Sequence, residues 1–445
     1  MALVGLSAFL AAVGLVPATP AGATDSARGL VFEGLRQDPG TCPGTFRLAV
    51  TRGSARCSHG PDAAPDGLDV RHRRPPDPWA APGQQTPVPG TAADAGGVQC
   101  FGTGSDGFRV QAIYAHASNV ADHFAQYQAS FAQWAGDTDS VFNASAAETG
   151  GTRHVRFVTN SSCVPVIDDV TLSTTGDDNI NNTISELQAK GYTRTDRKYL
   201  VWVDANVYCG IAQVWGDDSP GQSNYSNGNP QITGEVARVD NGCWGLAGQS
   251  VEAHELMHTL GGVQTSAPHA TRYNHCWDES DRMCYADGSG SAMKQICPTS
   301  HENVFDCNHD DYFLAAPAAS GTYLATHWNT ANNVFLAGTD GPAQLAPAGT
   351  PPSPPRNLTA KPLAGGGVRL TWSAPSSAGS SALTGYDVYR RTASGSYALL
   401  TSVSASRNTY RDLTTSRGTL YYYELMAENG AGSSAPSNEA SVTTR

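Results

Sequence analysis

The chain has 445 residues, a formal charge of −12 and 40% hydrophobic residues. That length fits two or three domains with a real core, and the acidic balance argues against a nucleic-acid partner. With 47 Gly, 27 Pro and only 15% charged residues, the composition suits a loop-rich extracellular protein better than a helical cytosolic one.

Met1 to Gly14 is almost wholly apolar or small, and Ala21-Gly22-Ala23 has the small residues of a cleavage site. Residues 1–23 are therefore expected to be a secretory signal peptide. The run is too short for an ordinary membrane span, and no other apolar run is long enough. The expectation is a secreted chain with no membrane partner once the signal is removed. The ten cysteines then imply disulfides in an oxidising compartment. Proximity suggests Cys42–Cys57, Cys100–Cys163 and Cys209–Cys243, and leaves open the pairing of Cys276, Cys284, Cys297 and Cys307.

Residues 24–74 form a first segment, read as a propeptide or a small stapled accessory unit, and end in Arg71-His72-Arg73-Arg74. Residues 75–99 are a Pro/Gly-rich linker. Residues 100–340 read as an α/β (α+β) domain with a mixed sheet. Phe108–Ala115 is strand-like. Val120, Phe124, Tyr127, Phe131 and Trp134 recur at helical spacing behind a cap at Ser118 or Asn119. His154–Thr159 alternates as a strand, and Ile184 and Leu187 lie on a short helix stopped by Gly191. Tyr199–Val203 is a continuous apolar run, expected to be a strand buried on both faces. Glu235–Asp240 is polar and is expected at a sheet edge.

The next stretch carries the chemistry. His254-Glu255-Leu256-Met257-His258 puts two imidazoles on one face of a helix. Both can bind one zinc ion, with Glu255 beside them as general base and then acid. Gly261-Gly262 ends the helix and turns the chain back toward the metal.

His254-Glu255-x-x-His258-x-x-Gly261 resembles the metzincin family of zinc endopeptidases. Asp281-Arg282-Met283-Cys284-Tyr285 is similar to that family's Met-turn. The resemblance implies a zinc-dependent hydrolase, with Met283 as a floor beneath the metal and Tyr285 as an oxyanion stabiliser or extra ligand. It covers roughly residues 100–320. The pattern departs at Gln264, where the family keeps its third ligand, and a neutral amide is a poor zinc ligand. The substitutes in order of preference are His275, His269 and Gln264 itself, with Asp278 also open. Cys57 lies in Arg56-Cys57-Ser58-His59-Gly60-Pro61-Asp62, which faintly resembles the cysteine switch of matrix metallopeptidases, although a Cys42–Cys57 disulfide is favoured. Asp306, Asp310 and Asp311 are candidates for Ca2+, against the blander reading of a solvated acidic loop.

Residues 341–355 are a second linker. Residues 356–445 resemble a fibronectin type III domain, through Trp372 in Val368-Arg369-Leu370-Thr371-Trp372, Tyr386-x-Val388-Tyr389, Tyr421 and Ala427-Glu428-Asn429-Gly430. The expected function is a secreted zinc endopeptidase acting on protein or peptide substrates. The metal ligands are His254, His258 and His275, and the catalytic residues are Glu255 and Tyr285. A polymer or surface would be bound through the C-terminal module. The rival from another class is a catalytically inactive zinc-fold binding protein anchored through that module. A second rival is the other large zincin group, with a glutamate ligand such as Glu279.

Overall fold

The computed structural model describes residues 25–72, 98–338 and 352–445, apart from 39, 43, 50–56, 222, 230, 231, 233, 247–249, 380, 381, 394, 396, 430 and 431. The signal-peptide expectation and most of both linkers lie outside the described residues.

In the first large unit the strands are β1 (Leu35–Gln37), β2 (Phe46–Leu48), β3 (Cys57–Asp62), β4 (Arg109–Ala117), β5 (His154–Val155), β6 (Ile167–Leu172), β7 (Arg197–Val203), β8 (Gly210–Val214), β9 (Val236–Asp240) and β10 (Leu336–Ala337). The helices are α1 (Phe124–Ala147), α2 (Ile180–Ala189) and α3 (Val251–Thr259). One eight-stranded sheet runs β1-β2-β3-β8-β9-β7-β4-β6. Strands β6, β4, β7 and β9 are parallel; β8, β3, β2 and β1 extend them antiparallel. The N-terminal segment thus continues the sheet of the larger domain.

Side-chain alternation divides the core between the two faces of the sheet. Tyr114, Leu200, Trp202, Ala237 and Val239 pack with Phe131 and Trp134 of α1 and with Leu256 and Met257 of α3. Ile113, Val201, Val203 and Val236 pack with Ile180, Ile184 and Leu187 of α2. Every residue of β7 is buried, as the unbroken apolar run requires.

Three expectations need correction. Strand β9 is interior, held between β7 and β8. Its polarity is absorbed internally: buried Arg238 donates to Asp240 at 2.7 Å and to the Thr183 hydroxyl at 2.8 Å. The cap of α1 is not at Ser118 or Asn119; the helix starts at Phe124, where Asp122 accepts the Phe124 N–H at 2.8 Å. Only His154–Val155 of the second expected strand, His154–Thr159, pairs regularly, with β10.

All five disulfides link consecutive cysteines: Cys42–Cys57, Cys100–Cys163, Cys209–Cys243, Cys276–Cys284 and Cys297–Cys307. The first three are the expected pairs. No described cysteine is free.

The C-terminal unit is a two-sheet sandwich. Strands β11 (Arg356–Pro362), β12 (Val368–Ser373) and β15 (Thr409–Asp412) form one sheet. The other contains β13 (Leu383–Thr392), β14 (Ala398–Ser404), β16 (Leu420–Asn429), β17 (Gly432–Ser433) and β18 (Ala440–Thr443). Trp372 packs edge-on to Tyr386 between the sheets. Tyr421 and Tyr423 point inward, while Tyr422 lies under the Arg391 guanidinium on the outer face. The Tyr421 hydroxyl accepts the Ser416 N–H at 3.1 Å, which pins the preceding loop.

Candidate metal centre

Helix α3 is capped by Ser250, whose hydroxyl accepts the Ala253 N–H at 3.1 Å. Its first-turn Glu252 is buried and accepts from Trp202 Nε1 and the Gly245 N–H at 3.1 and 2.9 Å. These contacts fix the helix on the sheet. It stops at Gly261, where φ is +96° and a Cβ would meet the Trp328 indole nitrogen at 2.6 Å. Only glycine fits that turn.

The chain returns beside α3 through residues 274–285. The His258 Nε2 lies 3.1 Å from the Nε2 of His254 and 3.1 Å from that of His275. All three rings are buried. His254 Nδ1 faces the Arg282 carbonyl at 2.8 Å, and His275 Nδ1 faces Asp287 at 3.3 Å. An acceptor at Nδ1 fixes the proton there and leaves the Nε2 lone pair pointing inward. The inward-facing nitrogens suit a positive charge, a metal cation or a proton, and Asp62 oxygens lie 2.9 and 3.3 Å from two of them. Zinc–nitrogen bonds of about 2.0–2.1 Å in a tetrahedron put neighbouring donors roughly 3.3 Å apart. The donor set and spacing therefore fit one zinc ion.

The structure separates the other candidates for third ligand from this cluster. Gln264 is buried, with its amide nitrogen donating to the Trp215 and Gly261 carbonyls at 3.0 and 2.8 Å. His269 faces Asp311 at 2.9 Å, and it sits with Asp278 in a second group of possible cation ligands. Glu279 is exposed. Met283 is fully buried. Its turn is held by Asp281, which accepts the Met283 N–H at 2.8 Å and the Tyr312 hydroxyl at 2.5 Å.

Two residues at the centre come from an unexpected place. Strand β3 brings Asp62, whose Oδ2 lies 2.9 Å from His254 Nε2 and whose Oδ1 lies 3.3 Å from His275 Nε2. Tyr285 donates its hydroxyl to the same carboxylate at 2.5 Å. His59 stacks on His258 with ring centroids 3.8 Å apart, and its Nε2 lies 3.2 Å from Glu255 Oε2. In a regular strand residues 59 and 62 would face opposite ways. Here Ser58 pairs with Gln213 and Pro61 with Ile211, so one extra residue bulges out and both side chains reach the site. The sequence signal was Gly60-Pro61, a pair that marks a bulge.

Glu255 is fully buried, and a Cβ on Gly210 of β8 would overlap its carboxylate. Glycine at 210 is what makes room for the acid. Burial and then the Asp62 charge raise the Glu255 pKa well above the usual range. Burial lowers that of His59 to about 4, so this ring is neutral. Its Nε2 accepts the Ala212 N–H at 2.9 Å. Burial and then Asp62 also push the Tyr285 hydroxyl well above 10. Burial opposes a charge on His275, but Asp287 and Asp62 outweigh it and lift its pKa to about 9.

The acidic loop near residue 310 divides its labour. Asp306 accepts the backbone N–H groups of Tyr312 and Phe313 at 2.7 and 2.5 Å, a loop cap. Asp278 and Asp311 instead face His269. Burial first, then Asp281 and Asp311, raises the Asp278 pKa from 3.8 to about 7. A group whose folded pKa lies above its unfolded value stabilises most below the unfolded value, and that contribution is lost as pH rises through the folded one. Metal-free chain should therefore lose stability between about pH 4 and pH 7, with unfolded Asp at ~3.9. Thermal melts of Asp278→Asn across that window should be flatter than wild type, and parallel curves would contradict this account.

The fibronectin type III family matches residues 353–443. Exoglucanase B of Cellulomonas fimi is 39% identical over 104 residues, 23% of this chain and 9% of that protein. The chain thus spans under a tenth of the length of this relative. Among solved structures, titin domains A168–A170 share 26% identity over 22% of this chain and 34% of theirs, with a TM-score of 0.21. A fibronectin-like protein from Clostridium thermocellum shares 29% identity over 21% of this chain and 94% of its own, with a TM-score of 0.18. With the buried tryptophan and the two-sheet topology, the match over 353–443 identifies the C-terminal unit of this chain as a fibronectin type III domain.

Proposed function

We propose that the chain is a secreted zinc-dependent endopeptidase of metzincin-like type, with an α/β catalytic domain ahead of its fibronectin module. The observation that carries the reading is the convergence of three Nε2 atoms with two of the opposite nitrogens held by acceptors, beside a buried carboxylate. His254, His258 and His275 would hold zinc. Bound zinc lowers the pKa of water and polarises a carbonyl oxygen. Glu255 takes the proton of the attacking water and delivers it to the leaving amide nitrogen. Tyr285 donates its hydroxyl to the oxyanion that forms on the scissile carbonyl. Five disulfides support a secreted site of action. The fibronectin module is a spacer or an attachment to a polymer or surface.

Metal analysis of the purified chain, paired with casein cleavage by the chain freed of residues 24–74 before and after a zinc chelator, tests this reading. The expected result is one zinc per chain and cleavage abolished by the chelator. A chain that holds zinc and, freed of residues 24–74, cleaves neither casein nor a peptide library would establish the inactive binding protein instead.

A further inference from the structure

Strand β3 enters the site as a peptide would. It lies antiparallel on β8, pairing Cys57 with Val214, Ser58 with Gln213, Pro61 with Ile211 and Asp62 with Gly210. Backbone pairing of this kind is how an exposed sheet edge takes up an extended polypeptide. At its end Asp62 sits against two of the three inward-facing nitrogens and takes the hydroxyl of Tyr285. Three Nε2 atoms and one carboxylate oxygen make up four donors, a closed tetrahedral set. The same strand sets His59 against Glu255. The open position that hydrolysis needs and the general base are thus both taken up by residues from one short strand.

The covalent map bears on whether this contact is permanent. Cys42–Cys57 closes within the N-terminal segment, and the other four disulfides begin at Cys100 or later. A single cut between residue 72 and residue 98 leaves no covalent bond between the segment and the rest. Arg71 and His72, which open the basic run at 71–74, are exposed. A disulfide across that boundary would have made the contact irreversible.

We infer that residues 25–72 are an inhibitory prosegment in which the Asp62 carboxylate is the fourth zinc ligand and β3 holds the place of an extended peptide on β8. The peptide-binding edge is then β8, the neighbour of β9. The cysteine-switch resemblance at Cys57 gives way to an aspartate five residues later, because the Cys57 sulfur is committed to Cys42. This inference rests on the zinc-peptidase reading for its metal and not for its catalytic activity.

Acetohydroxamate, a small anionic zinc chelator, reports access to the fourth position without any turnover. Calorimetric titration into zinc-loaded full chain should show binding at least tenfold weaker than into Asp62→Ala or the near-isosteric Asp62→Asn. Circular dichroism of the variants controls for folding. A chain with a site-specific protease sequence in place of residues 82–88 should, once cut, lose its N-terminal fragment on size exclusion and bind the hydroxamate as tightly as the variants do. Equal binding by intact wild type and both variants would overturn the inference, as would a cut chain that stays closed. A cut chain that opens to hydroxamate but cleaves no peptide would sink the peptidase reading and leave the prosegment standing. Absence of zinc from every form would overturn both.

Discussion

Replacing Glu255 with alanine in the chain freed of residues 24–74 should lower peptide cleavage by about 10²–10⁴-fold while zinc content stays at one per chain, the usual range for loss of a positioned general base. The geometry separates the two readouts. Glu255 shares a helical turn with His254 and His258, but its carboxylate faces His59 and Asp62, not the Nδ1 acceptors of His254 and His275. Removing it leaves His254 tied to the Arg282 carbonyl and His275 to Asp287. Glu255→Gln is the sharper variant, since it keeps the shape and loses the basicity. Cleavage should fall in both, because shape without a proton acceptor does not activate water. If Glu255→Gln cleaves casein at the wild-type rate, the proton is handled elsewhere and the assignment of the base fails.

The sequence carried the helix, its two histidines and the sandwich because each rests on a local rule. Spacing of four on a helix, a glycine at its end and alternation around Trp372 are all visible within a dozen residues. The interior position of β9 was hidden for the opposite reason. Arg238 and Asp240 read as solvent-facing, yet they neutralise each other inside the sheet together with Thr183 of α2. That pairing is invisible until β9 and α2 are brought together. Asp62 and His59 were hidden twice over. They lie about two hundred residues from Glu255 in sequence, and their spacing of three puts them on one face only because the strand bulges at Gly60-Pro61. The Gly60 φ of +105° was inferable from the residue type; the partner strand was not.

His275, with no spacing rule to point to it, gives the second large effect. His275→Ala should weaken zinc binding by more than about 100-fold, since loss of an outer-shell partner alone costs 10–100-fold. Gln264→Ala should leave zinc affinity nearly unchanged, although residue 264 occupies the third-ligand place of the family that the motif resembles. The reason is orientation. The Gln264 side chain is anchored by its amide nitrogen on two backbone carbonyls and offers only a neutral amide oxygen, whereas His275 offers an imidazole and is clamped from several sides. Its N–H bonds the Thr271 hydroxyl at 3.2 Å, its carbonyl accepts the Thr271 N–H at 2.6 Å, and the adjoining Cys276 is tied to Cys284. Asp287 orients its ring, so Asp287→Asn should cost an intermediate 10–100-fold. Competition against a chromophoric chelator reads all three affinities on one scale. The order His275, then Asp287, then Gln264 is the expected result; zinc lost from Gln264→Ala and retained by His275→Ala would return the third ligand to the position that the motif assigns.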